Sequence, residues 1–179
     1  MCQSCIVACT YWKGLSVITK VVFLDFDGVL LPDPDAHAQA QTGMNSSNYL
    51  STVVFNPLCV SNLLHLLNKT GAEIVLSTSW ADGHSISDLS NCLLRNGIDP
   101  TLIFDYDDPS EKTYMTPRDP KHNRGEEVRA WLTEHTEIKQ WVAIDDNPSI
   151  MLLRERVVRT NPSRGFDRAA LQKAISFLT

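Results

Sequence analysis

The sequence predicts an α/β fold, a Rossmann-like three-layer sandwich in which a mainly parallel sheet of five strands has helices on both faces. Short apolar segments rich in β-branched residues alternate with segments of helical periodicity, which is the pattern of a parallel sheet joined by crossover helices. Several of these apolar segments end in carboxylates or hydroxyls, as buried strands do at the carboxyl edge of such a sheet. The 179 residues, 43% of them hydrophobic, suffice for one sizeable core but not for two full domains.

The predicted strands cover residues 20–25, 72–78, 101–104, 140–144 and 156–160. The first leads into the string Asp-Phe-Asp-Gly, and the fourth leads into Asp-Asp-Asn-Pro. Because the carboxyl ends of parallel strands meet at one edge of a sheet, we expect the polar residues at these ends to converge in space.

Capping signals define the predicted helices. Asn56 and Pro57 supply a helix cap and a first-turn proline, and Gly71 ends that helix. Asn123 and Glu126 form a capping-box pattern, which predicts that another helix begins at Arg124. The remaining predicted helices cover residues 88–95, a short segment that starts at Asn147-Pro148, and residues 168–178.

Two polar stretches that contain proline, residues 31–56 and 105–122, are predicted to be irregular. The first is expected to carry a short helix over residues 36–41 and to form a small flap, and the second is expected to lie over the site. Only the 50 residues 28–77 separate Asp27 from Thr78, and much of that interval belongs to a core helix and strand. The sequence therefore predicts no large cap domain.

Composition limits the compartment and the class of partner. The five cysteines are an odd number, three of them lie within the first nine residues, and no run of about 18 apolar residues exists. We therefore expect a soluble, cytoplasmic domain over residues 20–179, preceded by a poorly ordered leader over residues 1–19, to which no function is assigned. The formal charge of −5 argues against a general nucleic-acid binder, although basic residues concentrate in the last third of the chain. The sequence does not indicate an oligomeric state.

Asp25 ends the first predicted strand and Asp27 lies two residues further on, so the two carboxylates can take different roles in a phosphoryl transfer. One carboxylate can offer an oxygen to phosphorus, while the other exchanges a proton with the leaving group. Gly28 would allow a sharp turn immediately after them. The alternative is that a strand simply enters an Asp-Gly turn.

Three further sets of residues complete the candidate site. Asp145 and Asp146 offer hard oxygen ligands for Mg²⁺ beside Asp25; the less favoured alternative is a solvated Asp-Asp-Asn turn that caps a helix. Arg124 at a helix start would attract an anion, with Lys121 as the rival for that role. The hydroxyls of Ser77, Thr78 and Ser79 alternate faces, so only some of them can point at a bound phosphoryl oxygen. Thr78 is favoured, with Ser77 as the close alternative.

With these residues in hand, the chain resembles the haloacid dehalogenase (HAD) superfamily over about residues 20–178. The strings LDFDGVL, IVLST and AIDD match its first, second and fourth motifs, and Arg124 matches the third. IVLSTSW, GEEVRAWL after Arg124, and WVAIDD resemble the HAD domain of Swiss-Army-knife RNA-repair proteins. Two departures are Arg124 where many relatives have Lys, and Ala81 where the narrower group often has Arg.

The resemblance implies a HAD-like phosphatase acting on phosphoric monoesters. It implies that Asp25 forms an aspartyl-phosphate, that Asp27 is the acid and base, and that Thr78 and Arg124 hold the transferring group. It also implies Mg²⁺ bound by Asp25, the Asp27 carbonyl, and Asp145 or Asp146. Gly28, Ser77 and Lys121 are the other candidate substrate-binding residues.

The absence of a large cap weakly favours bulky substrates such as RNA ends, DNA ends or nucleotides. The alternative reading is a catalytically silent domain that binds phosphate or joins a complex. Retention of both Asp25 and Asp27 speaks against it, because a phosphate binder needs no acid-base group. A signalling receiver domain is disfavoured because its acidic pair and its phosphorylated aspartate occur in the opposite strand order.

Overall fold

Four parallel strands form the sheet of this protein, whose computed structural model describes residues 19–41, 49–106, 112–119, 121 and 123–179. The strands lie in the order β2-β1-β3-β4, so β1 and β3 are central. Their bounds are β1 Lys20–Leu24, β2 Glu73–Leu76, β3 Gln140–Asp145 and β4 Val157–Arg159. The predicted leader lies almost entirely outside the described residues.

Six α-helices are present in the described part of the chain. They are α1 Asp33–Ala40, α2 Tyr49–Thr52, α3 Pro57–Thr70, α4 Ile86–Arg95, α5 Arg124–Glu134 and α6 Arg168–Leu178. Short 3₁₀ turns cover Ser79–Asp82, Pro100–Leu102 and Pro148–Leu153. None of the helices in these residues is both long and apolar enough to cross a membrane.

The sheet has a hydrophobic core on each face, which confirms the predicted three-layer sandwich. On one face, Leu24 and Ile144 pack in a cluster with residues of α3, α4 and α6. On the other face, Phe23 and Ala143 pack beneath Trp131 of α5. Strand residues alternate between the two clusters because successive side chains point to opposite faces.

Several predicted helix ends are confirmed because local hydrogen bonds set them. The Asn56 side chain accepts the backbone N–H groups of Leu58 and Cys59, and Gly71 ends α3 in the left-handed conformation at φ +68°. The Asn123 side chain accepts the N–H of Glu126, and α5 begins at Arg124 as predicted.

The prediction of a fifth strand over residues 101–104 is wrong. Asp99 caps a 3₁₀ turn that starts at Pro100, and the turn uses the N–H groups of Thr101 and Ile103. Only a single parallel bridge joins this segment to the sheet, between Ile103 and Ile74. An aspartate cap and a proline therefore override the β-propensity of the segment.

Candidate active site

Asp25, Ser77 and Asp145 lie side by side at the carboxyl edge of the sheet. Asp25 follows β1 with only 5% of its surface exposed, and its N–H donates to the Ile144 carbonyl over 3.1 Å. The N–H of Ser77 donates to the Leu24 carbonyl over 2.9 Å. The register of the three parallel strands therefore brings together residues that are far apart in sequence.

These three side chains occupy the same face of the sheet. The residues two positions before each of them all pack in the core beneath α5, and they are Phe23, Val75 and Ala143. Since the side-chain period of a strand is two, Asp25, Ser77 and Asp145 continue along that face. The first residue of α5, Arg124, therefore lies above them.

The Arg124 guanidinium contacts carboxylates from two strands. Its Nε lies 3.4 Å from Asp145 Oδ2, and one terminal nitrogen lies 3.8 Å from Asp25 Oδ1. The backbone N–H of Arg124 donates to the hydroxyl of Ser149 over 3.0 Å. Arg124 is itself 6% exposed, so its charge acts where water screens it little.

Asp25, Asp145 and Asp146 form a carboxylate cluster in which one oxygen from each residue lies within 4.8 Å of the others. Asp25 Oδ1 and Asp145 Oδ2 are buried, and within the described residues neither accepts a hydrogen bond. Arg124 lies near both, but one guanidinium cannot neutralise three carboxylates. Converging hard oxygens with unused lone pairs fit Mg²⁺.

The pKa values of the cluster reflect this crowding. Burial raises the pKa of Asp145 to about 7, against the opposing effects of the Asn147 N–H and Arg124. Burial, together with the negative charge of Asp145, also raises the pKa of Asp25 well above its usual value. A bound cation would therefore hold these groups in the ionised form.

Gly28 allows the loop after β1 to approach the cluster. A Cβ built on Gly28 would lie 2.5 Å from Asp146 Oδ2, and the glycine has φ +63°. Its carbonyl accepts the Thr160 hydroxyl over 2.8 Å. Both the backbone conformation and the space therefore require glycine here.

A family model described as the HAD domain in Swiss Army Knife RNA repair proteins matches residues 21–171. The chain belongs to this family. The match covers β2, β3, β4, all of β1 except Lys20, and every residue of the carboxylate cluster. No curated protein and no solved structure matched the chain.

In this HAD domain, the two candidate hydroxyls occupy different places. Ser77 lies on the same face of the sheet as Asp25, and the Ser77 hydroxyl lies 3.5 Å from the hydroxyl of Thr116. The Thr78 hydroxyl instead accepts the N–H of Trp80 over 3.4 Å and caps the turn Ser79–Asp82. The geometry therefore favours Ser77, whereas the sequence favoured Thr78.

The other predicted site residues of the HAD domain lie toward its surface. Asp27 has an exposed side chain that is not part of the three-carboxylate cluster. It accepts the indole N–H of Trp80 over 2.7 Å. Lys121 is exposed, whereas Arg124 lies within the site, so the structure favours Arg124 over its rival.

Glu127 is a residue of the site that sequence reasoning missed. Its carboxylate is fully buried, accepts Arg124 over 2.9 Å, and lies 3.4 Å from Arg118. It also accepts the backbone N–H of Asp119 over 3.1 Å. Arg118 extends the chain of ion pairs to Asp82. The available signal was the spacing of three between Arg124 and Glu127 on one helix.

Proposed function

We propose that this HAD domain is a magnesium-dependent phosphomonoesterase that works through a phosphoryl group carried on Asp25, with nucleic-acid termini or nucleotides as substrates. The observation that carries the proposal is the surroundings of Asp25. It is a buried carboxylate with an oxygen that accepts no hydrogen bond in the described residues, set between two further carboxylates and a buried arginine.

The residues for the metal are Asp25, Asp145 and Asp146, and the family resemblance adds the backbone carbonyl of Asp27. Bound Mg²⁺ would supply positive charge that keeps the carboxylates ionised and offsets the charge of the phosphate. Arg124 adds a fixed positive charge on the helix side of Asp25 and would hold a phosphoryl oxygen.

In the first step, an Asp25 oxygen bonds to phosphorus as the bond from phosphorus to the leaving oxygen breaks. Asp27 donates its proton to that oxygen, so an alcohol departs. In the second step, Asp27 takes a proton from water and the water oxygen bonds to phosphorus. The bond to Asp25 breaks, which restores its carboxylate and releases inorganic phosphate.

Two observations support a polymeric or nucleotide substrate: the small size of the elements between Asp27 and β2, and an exposed arginine beside Asp146. The described residues between Asp27 and β2 form only α1, α2 and the core helix α3, which leaves little chain for a lid. Arg159 is exposed and its Nε donates to the Asp146 carbonyl over 3.1 Å. A terminal phosphate needs only a few such contacts.

The first experiment measures phosphate release from 4-nitrophenyl phosphate, from mononucleotides, and from 3′- and 5′-phosphorylated oligonucleotides, with Mg²⁺ and with EDTA. Asp25→Asn should abolish release while the protein remains folded. Glu155→Gln is the matched control, because Glu155 is exposed ahead of β4 at the opposite edge of the sheet. A folded wild-type protein that releases no phosphate would favour the silent phosphate-binding domain.

The covalent intermediate has its own test. Asp27→Asn should still accept a phosphoryl group from 4-nitrophenyl phosphate, because nitrophenolate leaves without a proton, but it should hydrolyse the intermediate slowly. Intact-mass measurement should then show one added phosphoryl group, absent from Asp25→Asn/Asp27→Asn. Turnover by Asp27→Asn at the wild-type rate would rule out its role as the base.

A further inference from the structure

Trp80 directs its one polar atom at Asp27. The indole Nε1–H donates to Asp27 Oδ2 over 2.7 Å, a short distance that is typical of a hydrogen bond to a carboxylate. The Asp27 side chain reaches solvent, whereas the Trp80 side chain is half-buried. The proposed acid, Asp27, and the tryptophan therefore form a hydrogen-bonded pair beside the site.

The Trp80 ring is fixed by aromatic neighbours. It packs edge-to-face against Phe26 at 5.2 Å between centroids and against Tyr49 at the same distance, and it lies 6.0 Å from Phe55. Phe26 is fully buried and precedes Asp27 in the chain. The core therefore holds both partners of the hydrogen bond, so the indole and the carboxylate have little freedom to separate.

The backbone of Trp80 is held from both ends of its turn. At the start, the Thr78 hydroxyl accepts the N–H of Trp80. At the end, Asp82 pairs with Arg118 at 2.5 Å, and Arg118 lies 3.4 Å from the buried Glu127. The same Glu127 holds Arg124, so the turn is anchored to the helix that bears the guanidinium.

We infer that Trp80 is a positioning residue that fixes which oxygen of Asp27 carries the transferred proton. An indole N–H donates but does not accept, and an unprotonated carboxyl oxygen is the stronger acceptor, so the contact favours Oδ2 as the oxygen without the proton. The acid proton then resides on Oδ1, which gives it to the leaving oxygen and later takes one from water. This inference rests on the proposed phosphatase function.

The kinetic test compares two substrates of similar shape, 4-nitrophenyl phosphate and 4-nitrobenzyl phosphate. Nitrophenolate departs without protonation, whereas a benzyl alcohol needs a proton from Asp27. Trp80→Phe removes the N–H but keeps an aromatic ring. We expect Trp80→Phe to lower kcat for the benzyl ester by about tenfold or more. For the phenyl ester, the rate of the initial burst, which reports phosphoryl transfer to Asp25, should fall much less. Both KM values should stay nearly unchanged.

Two variants separate positioning from a structural effect. Trp141→Phe removes another half-buried indole, which packs edge-to-face on Phe23 at 6.1 Å near the start of β3, and should leave the ratio of the two rates unchanged. In an Asp27→Asn background, Trp80→Phe should cause no further selective loss. A loss of equal size for both substrates, or additive losses in the double variant, would overturn the inference.

A spectroscopic measurement tests the contact without turnover. The four tryptophans give four indole N–H signals in a proton–nitrogen correlation spectrum, and Trp80→Phe assigns one of them. Asp27→Asn should shift that signal upfield and speed its exchange with solvent. The Trp131 signal, whose N–H donates to the Thr113 carbonyl, should stay in place. If the Trp80 signal did not move in Asp27→Asn, the contact would be refuted. If the signal moved but the wild-type protein released no phosphate, only the phosphatase proposal and the proton transfer that depends on it would be refuted.

Discussion

Gly28 and Asp146 approach each other so closely that no side chain fits between them: a Cβ on Gly28 would lie 2.5 Å from Asp146 Oδ2 and 2.6 Å from its carboxyl carbon. The glycine belongs to the loop after β1, and the aspartate directly follows β3. The loop that presents the proposed nucleophile is therefore packed directly against a proposed metal ligand.

Gly28→Ala is expected to displace the Asp146 carboxylate and weaken Mg²⁺ binding, and it should lower the free energy of unfolding by about 1–2 kcal/mol because the alanine must adopt a positive φ. Mg²⁺ titration of phosphate release and thermal unfolding measure the two effects. Gly71→Ala is the matched control, since Gly71 has φ +68° and no atom within 4 Å of a built Cβ. Equal Mg²⁺ requirements in both alanine variants would contradict the prediction.

Glu127→Gln is expected to reduce kcat/KM by about tenfold to a hundredfold, because Arg124 loses a charge-assisted hydrogen bond that fixes its guanidinium. The matched control is Glu126→Gln, which breaks an exposed ion pair with Arg129 at 2.8 Å and should change stability by less than about 1 kcal/mol. Steady-state kinetics and thermal unfolding of both variants are the measurements. If Glu127→Gln retained wild-type kcat/KM, the pair would not position Arg124.

The stability of the metal-free protein should fall as the pH rises. Burial raises the pKa of Asp145 to about 7, whereas an unfolded aspartate titrates near about 3.9. Between these values the folded state binds more protons, so this contribution to stability is complete below about pH 4 and is lost as the pH passes about 7.

Mg²⁺ binds the ionised carboxylates, so its stabilising effect should grow across the same interval. Melting temperatures with EDTA and with Mg²⁺, taken at about pH 5 and about pH 8, test this expectation. Asp145→Asn should flatten the pH dependence and remove most of the gain from Mg²⁺. A gain from Mg²⁺ that is equal at both pH values would argue against a site formed by these carboxylates.

Ser77→Ala is expected to lower kcat/KM by about tenfold for every phosphate ester, because Ser77 lies on the face of Asp25 and its hydroxyl would donate to the transferring group. Thr78→Val should behave differently, since it removes the cap that holds Trp80. Its loss should fall mainly on esters that need a protonated leaving group. The same panel of esters distinguishes the two variants, and equal losses in both would mean that the geometry has misassigned the hydroxyls.

Local signals made the helix ends predictable from the sequence. Asn56, Pro57 and Gly71 act through hydrogen bonds and dihedral angles within a few residues. Distant parts of the chain therefore did not alter where α3 begins and ends. The strand ends at Asp25 and Asp145 were predictable for a similar reason, because apolar runs that stop at carboxylates have few alternatives in a parallel sheet.

Contacts between distant segments could not be predicted in this way. Nothing near Glu127 indicates that a loop will bring Arg118 to it, and nothing near Trp80 indicates that its indole will meet Asp27. The ring of Trp80 packs on Phe26, as is usual for a tryptophan beside a core. Its N–H, however, takes a second role that depends on the fold.

The strand order also bears on how the chain acquires its site during synthesis. β1 lies near the start of the described residues, but its central partner β3 covers Gln140–Asp145. A nascent chain that has not yet reached β3 can pair β1 only with β2, and it leaves the N–H and C=O groups along the other edge of β1 without partners in the sheet. The ribosome must therefore have passed β3 before the carboxylates meet, so chains interrupted earlier would carry the Asp-Phe-Asp-Gly string without the complete carboxylate cluster and with an edge prone to aggregation.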